Sequence, residues 1–103
     1  MSAIWVARTR PRTPGDEADL IRFLNTTHTD ELHAGLPELA EYRTFRRQDP
    51  DGRIQLVSIG RCPSLSGAEL IERMAALAPG LTQSAAMSFE PGEAPSLEFA
   101  EEV

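Results

Sequence analysis

Hydrophobic positions along this chain follow two periods, one of two residues and one of about 3.6 residues. The two-residue period, combined with β-branched and aromatic side chains, is typical of strands. It predicts strands at residues 3–9, 39–48, 53–61 and 82–90. The last of these depends on the alternation of Ala85, Met87 and Phe89. Four short strands indicate a domain built around a single sheet.

Two segments show helical spacing, and each has a recognisable start. Thr13 followed by Pro14 is typical of a helix N-terminus and predicts a first helix over residues 14–34. Ser66 with Glu69 three residues later fits a capping box. Apolar residues then recur at helical spacing until Pro79. The sequence therefore predicts a second helix after the third strand.

The turn Asp49-Pro50-Asp51-Gly52 joins the second and third strands into a hairpin. The resulting order β-α-β-β-α-β predicts a ferredoxin-like α+β fold, with a four-stranded antiparallel sheet and both helices on one face. We expect this domain to span residues 1–90 and residues 91–103 to form an acidic tail. Leu97 and Phe99 could dock in that tail as an extra edge segment.

The other face of the sheet is expected to be covered by a second copy of the chain. Leu56, Val57 and Ile59 place apolar residues at adjacent positions of the third strand, which suggests burial on both faces. A chain of 103 residues has a modest core that dimerisation can complete. The sequence therefore predicts a homodimer, in the form of a dimeric α+β barrel.

Composition narrows the classes of partner. The formal net charge of −6 argues against nucleic acid, and no apolar run approaches the roughly 20 residues of a membrane helix. The N-terminus carries no signal-peptide pattern and Cys62 is the only cysteine, which fits a cytoplasmic protein. Neither metal-ligand spacing nor a dinucleotide fingerprint occurs, so we expect no cofactor and no metal.

The first helix carries the most informative polar residues. With about 100° per residue and Leu20 at zero, Leu24 lies at about 40°, Glu31 at about 20° and His28 at about 80°. His28 and Glu31 are therefore predicted to face inward and to pair. His28 would act as a general base, with Glu31 orienting its ring. The alternative is a structural histidine, and His33 is expected to face solvent.

Residues of the first two strands complete the candidate site. Trp5, Tyr42 and Phe45 could line a pocket between the first helix and the sheet, together with Leu24. Tyr42 could donate its phenol hydrogen to a carbonyl or phenolate substrate. Arg43 could stabilise a developing negative charge. A core role for these aromatic residues and a surface role for Arg43 are the alternatives.

Three stretches, residues 23–33, 36–39 and 42–47, resemble the EthD-like branch of the dimeric α+β barrels, the superfamily of the antibiotic-biosynthesis monooxygenases. That branch has an aromatic-rich first helix with an inward histidine, then a Leu-Pro-Gly-Phe turn and an arginine-rich strand, and in this chain Glu38-Leu39 replaces the Gly-Phe of the turn. The resemblance places His28 at the position of that histidine. It implies a cleft in each protomer, between the first helix and the inner sheet face, which suits a small, largely apolar, oxygenated molecule.

Two functions follow as expectations. One is a cofactor-independent enzyme that acts on an aromatic or polyketide-like small molecule, as a cyclase, dehydratase or monooxygenase, with proton abstraction by His28. The other is a non-catalytic dimeric module that binds a small molecule or assists a larger enzyme. A purely structural dimer with a filled cleft is a third possibility.

Overall fold

A computed structural model describes residues 2–103. The strands are β1 (Ser2–Thr9), β2 (Glu41–Gln48), β3 (Ile54–Cys62) and β4 (Ser96–Glu102). The helices are α1 (Glu17–Phe23), α2 (Thr29–Gly35) and α3 (Gly67–Leu77). A π-helical turn, Leu24–His28, joins α1 to α2, and short 3₁₀ turns precede α1 and follow α3. Within residues 2–103, none of these helices combines the length and apolarity needed to cross a membrane.

The four strands form one antiparallel sheet in the order β2-β3-β1-β4. This is the ferredoxin-like arrangement and confirms the predicted fold class. The hairpin turn forms as predicted, since the Gly52 amide donates to the Asp49 carbonyl at 2.8 Å and Gly52 adopts a φ of 87°. The capping box also forms, with Ser66 and Glu69 bonded to each other's backbone amides.

The predicted fourth strand at residues 82–90 is wrong. That segment makes turns and a single bridge between Met87 and Pro11. The fourth strand lies instead in the segment expected as an acidic tail, where β4 pairs with β1 from Ser96 to Glu102. Leu97 and Phe99 are directly opposite Ala7 and Trp5, so this segment extends the face that carries the core.

The first helix is continuous over residues 17–35 but is not a uniform α-helix. In a regular α-helix, the eight steps of about 100° from Leu24 to Leu32 would place these two side chains about 80° apart around the helix axis. The additional residue held by the π-helical turn reduces that offset to about 20°. Thr29 Oγ1 donates to the Leu24 carbonyl at 2.6 Å and satisfies an acceptor of the widened turn. As a result Leu20, Leu24, Leu32 and Leu36 are all fully buried on one stripe.

The core lies between the helices and one face of the sheet, here called the inner face, and it has two parts. The larger cluster surrounds Trp5 and includes Leu32, Leu36, Leu70 and Met74. The smaller cluster joins Leu20 and Leu24 of the helix to Leu56 of β3 and Ala86. The gap between these clusters contains the candidate site.

The opposite, outer face of the sheet carries apolar side chains that the described chain leaves partly or fully exposed. Because side chains alternate along a strand, these outer-face side chains point away from the side of the sheet that carries Trp5 and Tyr42. They comprise Ile4, Val6, Phe45, Val57, Ile59 and Ala100. Pairs of opposite charge surround them, namely Arg8–Glu98, Arg43–Glu41 and Arg61–Glu102.

Candidate functional site

A cavity of about 280 Å³ lies between the inner face of the sheet and the first helix. Trp5, Ala7 and Thr9, at alternate positions of β1, form its floor with Tyr42 and Ser58. Phe23, Leu24 and His28 form the helix side, and Met74 and Ala78 close one end. The alternation of β1 and the position of the π-helical turn therefore bring these side chains together.

The segment 81–95, here called the strap, forms the outer wall of the cavity. Its contributing side chains are Leu81, Thr82, Gln83, Met87, Phe89 and Pro95. The strap is bound to the chain after β1, since the Arg12 amide donates to Ala86 and the Ser88 amide donates to Arg10, both at 2.8 Å. Phe89 and Leu97 lie at the rim and are 54% and 50% exposed. The cavity therefore opens beside these two apolar residues.

Three buried polar atoms have no hydrogen-bond partner within residues 2–103, and all three belong to residues that line this cavity. They are Thr9 Oγ1, His28 Nδ1 and Tyr42 Oη. Buried polar atoms in folded proteins are almost always paired, and leaving one unpaired costs about 1–3 kcal/mol. Because all three residues line one cavity, a ligand bound there is a source of the missing partners once these side chains turn towards it.

Aromatic contacts hold His28 and Tyr42 at the cavity wall. The His28 ring stacks on Phe23 with centroids 5.7 Å apart and meets the edge of Tyr42 at the same distance. Tyr42 in turn stacks on Trp5, again at 5.7 Å. The Trp5 ring lies against Gly60, where an added Cβ would be 2.2 Å from the indole. Gly60 is therefore the residue that lets Trp5 lie flat on the sheet beneath the cavity.

Burial keeps both titratable groups of the cavity uncharged near neutral pH. Desolvation lowers the pKa of His28 below its ordinary value, and the negative charge of Glu31 opposes this only in part. Desolvation likewise raises the pKa of the Tyr42 phenol, with the nearby Ser58 hydroxyl acting in the opposite direction. His28 therefore presents a neutral imidazole, and Tyr42 presents an O–H donor.

Glu31 does not orient His28 as the sequence predicted. Its carboxylate accepts hydrogen bonds from the Thr82 amide at 2.9 Å and the Thr82 hydroxyl at 2.8 Å. These two bonds lower the pKa of Glu31, so the group is ionised at neutral pH. Glu31 faces the strap because it follows the π-helical turn, which a regular helical wheel does not include. Its effect on His28 is electrostatic, while it holds the strap to α2.

Arg43 and Phe45 lie outside the site, which corrects two predictions. Both alternate with Tyr42 and Thr44 along β2 and therefore point to the outer face. Arg43 is paired with Glu41 at 3.5 Å, and its side chain is 70% exposed. Trp5, Leu24, His28 and Tyr42 do line the cavity, and His33 is exposed as expected.

Sequence reasoning missed Thr9 and the strap. Thr9 is two residues beyond Ala7 and four beyond Trp5, so strand alternation from Trp5 could have placed it on the same face. The strap residues gave no comparable signal, because their positions depend on bonds to Glu31 and to the chain after β1. Cys62 is buried in the core, and burial raises the pKa of its thiol, which excludes the reactive thiolate form at neutral pH.

The fold is shared with solved structures of low sequence identity. An EthD family protein from Bacillus halodurans matches over 100% of both chains at 18% identity and a TM-score of 0.64. A NIPSNAP family protein from Agrobacterium tumefaciens matches over 98% of this chain and 86% of its own at 15% identity and a TM-score of 0.54. A de novo designed protein, Foldit4, matches over 100% of both chains at 9% identity and a TM-score of 0.61.

At these identities the likeness shows a common fold. No protein-family model matches the sequence, and no curated protein matches it significantly. The class defined here is thus the ferredoxin-like α+β fold that the EthD family protein shares, as the sequence resemblance implied. Because a designed protein has the same architecture, function has to be argued from the cavity.

Proposed function

We propose that this protein is a cofactor-independent enzyme that acts on an aromatic or polyketide-like small molecule by general-base proton abstraction. The observation that carries the proposal is that Thr9, His28 and Tyr42, each with one buried polar atom unpaired within the described chain, all line one largely apolar cavity. A planar, oxygenated ligand would contact the aromatic walls and pair with these atoms. The resemblance to the EthD-like branch supports the same class of ligand.

In this reaction His28 removes a proton from a carbon beside a carbonyl group of the substrate. The C–H electron pair moves into the enolate, and the Tyr42 hydroxyl donates a hydrogen bond to the developing oxyanion. The raised pKa of Tyr42 keeps that donor protonated, and the lowered pKa of His28 keeps its ring free to accept. The enolate would then add to a second carbonyl, expel hydroxide or add to dioxygen, and the proton held by His28 would pass to the alkoxide, hydroxide or peroxide that forms, which restores the neutral ring.

Replacing His28 tests this role directly. Oxygenated aromatic compounds and polyketide-like compounds are incubated with the protein, and products are identified by mass spectrometry. On a substrate found in this way, His28→Ala should lower turnover by about 10²-fold or more. His33→Ala is the matched control, because His33 is on the same helix and exposed, and it should leave turnover unchanged. Undiminished turnover in His28→Ala would mean that His28 is not the base.

A second function, non-catalytic binding, is supported by a specific observation. Glu31 is bound to Thr82, so within the described residues no carboxylate hydrogen-bonds to His28 to orient the ring and raise its basicity. A module that only binds a small molecule, as a carrier or as a partner of a larger enzyme, needs no such orienter. Saturable binding of a compound that is recovered unchanged, with wild-type protein, would favour this function over catalysis.

We further propose that the protein is a homodimer that buries the outer face of the sheet. Supporting this are the apolar side chains of that face, with Phe45 51% exposed, and the surrounding charged pairs. A contiguous apolar patch with a polar rim is typical of a protein–protein interface. Because the cavity is on the inner face, each protomer of such a dimer would keep its own site.

A further inference from the structure

Charged residues are abundant in this chain but are absent from the cavity lining. The chain has ten basic and sixteen acidic residues. Among the described residues that line the cavity, none is Asp, Glu, Lys or Arg. A neighbouring surface hollow shows the contrast, since Arg10, Arg12, Arg53 and Glu93 all contribute to it. An ionised ligand in the cavity would therefore lose hydration without meeting a counter-charge, which is costly.

The charged group that influences the cavity most directly is the negative carboxylate of Glu31. Thr82, a lining residue, binds the Glu31 carboxylate through both its amide and its hydroxyl. The same carboxylate acts electrostatically on His28 across the cavity wall. A ligand carboxylate near His28 would consequently be repelled, in addition to being desolvated.

The remaining polar groups suit an uncharged oxygen. The Tyr42 and Thr9 hydroxyls can donate, and the unpaired Nδ1 of the neutral His28 ring can accept or donate according to its tautomer. A phenol, ketone or quinone oxygen forms such bonds without carrying charge. The volume of the cavity limits the size of the ligand. An engineered apolar cavity of about 150 Å³ accepts one benzene ring, and this cavity has about 280 Å³.

We propose that the cavity selects uncharged aromatic ligands of one or two fused rings, and that the charge of Glu31 further weakens the binding of their anionic counterparts. This inference rests on the proposed function in that it places the ligand in the same cavity, but it concerns binding and does not require turnover. Glu31 is accordingly a specificity-determining residue that acts through its charge from its position on the lining residue Thr82.

The test compares two probes that share one ring system, 2-naphthol and 2-naphthoate, by isothermal titration calorimetry at neutral pH. We expect wild-type protein to bind 2-naphthol at least about tenfold more tightly than 2-naphthoate, because only the anion is desolvated without a partner. Glu31→Gln retains an oxygen for Thr82 and removes the charge. It should tighten 2-naphthoate binding by about threefold or more while leaving 2-naphthol unchanged.

The control is Glu72→Gln, an exposed position on α3 that should leave both affinities as in the wild type. Circular dichroism checks that both variants fold. Equal or tighter binding of 2-naphthoate by wild-type protein would overturn the proposal, as would an unchanged affinity ratio in Glu31→Gln. Failure of both probes to bind would overturn the stated ligand size. Selective binding of 2-naphthol would leave this inference standing even if the His28→Ala experiment overturned the enzymatic function, because neither probe carries the C–H beside a carbonyl that the proposed reaction needs.

Discussion

The Glu31 carboxylate accepts two hydrogen bonds from Thr82, one from the Thr82 amide and one from the Thr82 hydroxyl, although the two residues are 51 positions apart in the chain. This contact fixes the start of the strap to α2 beside the cavity. At the other end of the strap, Glu93 pairs with Arg53 and accepts from the Ser88 hydroxyl. The strap is thus anchored at both ends, while its apolar middle faces the cavity.

Removing the Glu31 carboxylate should loosen the start of the strap without unfolding the domain. We expect the Thr82 amide to exchange its hydrogen faster in Glu31→Ala than in the wild type, because the acceptor is lost and the amide becomes free to open. Hydrogen exchange followed by NMR measures this. Asp30→Ala changes the preceding exposed acid and should leave the Thr82 rate unaltered. Equal rates in Glu31→Ala and wild type would show that the contact does not restrain the strap.

A methyl group at residue 60 should disturb the floor of the cavity. In Gly60→Ala the new Cβ would meet the Trp5 indole at 2.2 Å, so the ring or the strand must shift. We expect the free energy of unfolding to fall by about 1–3 kcal/mol, the usual cost of overpacking a core. Urea denaturation measures the change.

Gly80→Ala provides the control for this prediction. An added Cβ at Gly80 has no neighbour within 4 Å and the residue does not have a positive φ, so stability should be close to that of the wild type. If the two variants were equally stable, the close approach of Trp5 to the sheet would have no energetic consequence.

Stability should depend on His28 in mildly acidic solution. Its pKa is lowered in the folded protein and returns to about 6.5 in the unfolded chain. Below pH 6.5 the unfolded chain therefore binds more protons, and the free energy of unfolding falls as the pH decreases towards the folded-state pKa. Glu31, Glu38 and Asp49 have lowered pKa values, so their stabilisation is lost only at still lower pH.

Denaturation at a series of pH values separates these contributions. In His28→Gln, the slope of unfolding free energy against pH just below pH 6.5 should be smaller than in the wild type. Thr27→Ala changes an exposed, non-titrating residue of the same helix and should retain the wild-type slope. A wild-type slope in His28→Gln would mean that burial does not perturb the pKa of His28.

The outer face of the sheet allows a direct test of the proposed dimer. Ile59 is near the middle of that face, and Ile59→Asp would place a charge there without a partner. We expect this variant to sediment as a single chain while the wild type sediments as two. Ile71→Asp makes the same change on α3, where Ile71 is 50% exposed, and should leave the wild-type mass. A single-chain mass for the wild type itself would rule out the proposed dimer.

Features determined by neighbouring residues were predictable from the sequence. The Asp49–Gly52 turn and the Ser66–Glu69 capping box each depend on a few consecutive positions, and both form as expected. The inward direction of His28 also followed from spacing along the helix. Such features can be predicted without knowing which residues pack against them.

Strand β4 was misplaced because two segments carried a similar alternation. Residues 82–90 had the more apolar pattern, whereas β4 has four charged or polar residues among seven, typical of an edge strand exposed to solvent. What selects β4 is pairing with β1, which brings Leu97 and Phe99 over Ala7 and Trp5. That choice is tertiary, and its local signature is limited to the alternating Leu97 and Phe99, which had indicated an extra edge segment.

The site predictions for Arg43 and Glu31 were wrong for different reasons. Tyr42 and Arg43 are adjacent in a strand, so they face opposite sides, and the alternation rule alone would have removed Arg43 from the site. Glu31 could not have been placed in this way. Its direction depends on the π-helical turn, and its partner lies in a segment without regular structure.

The π-helical turn lets this helix hold one residue more than a regular α-helix of the same phase. Deleting one residue from 24–28 would convert the turn to ordinary α-helix and keep Leu32 and Leu36 on the buried stripe, because seven regular steps give the same offset of about 20°. A deletion elsewhere between Leu20 and Leu32 would instead rotate everything after it by about 100°, so that Leu32 and Leu36 would leave the core and Glu31 would turn away from Thr82. Exposed residues in the turn, such as Asn25 and Thr27, are therefore the positions where this helix tolerates removal as well as substitution. Among proteins that share this fold, a first helix that is one residue shorter at this turn would present its later side chains in the same directions.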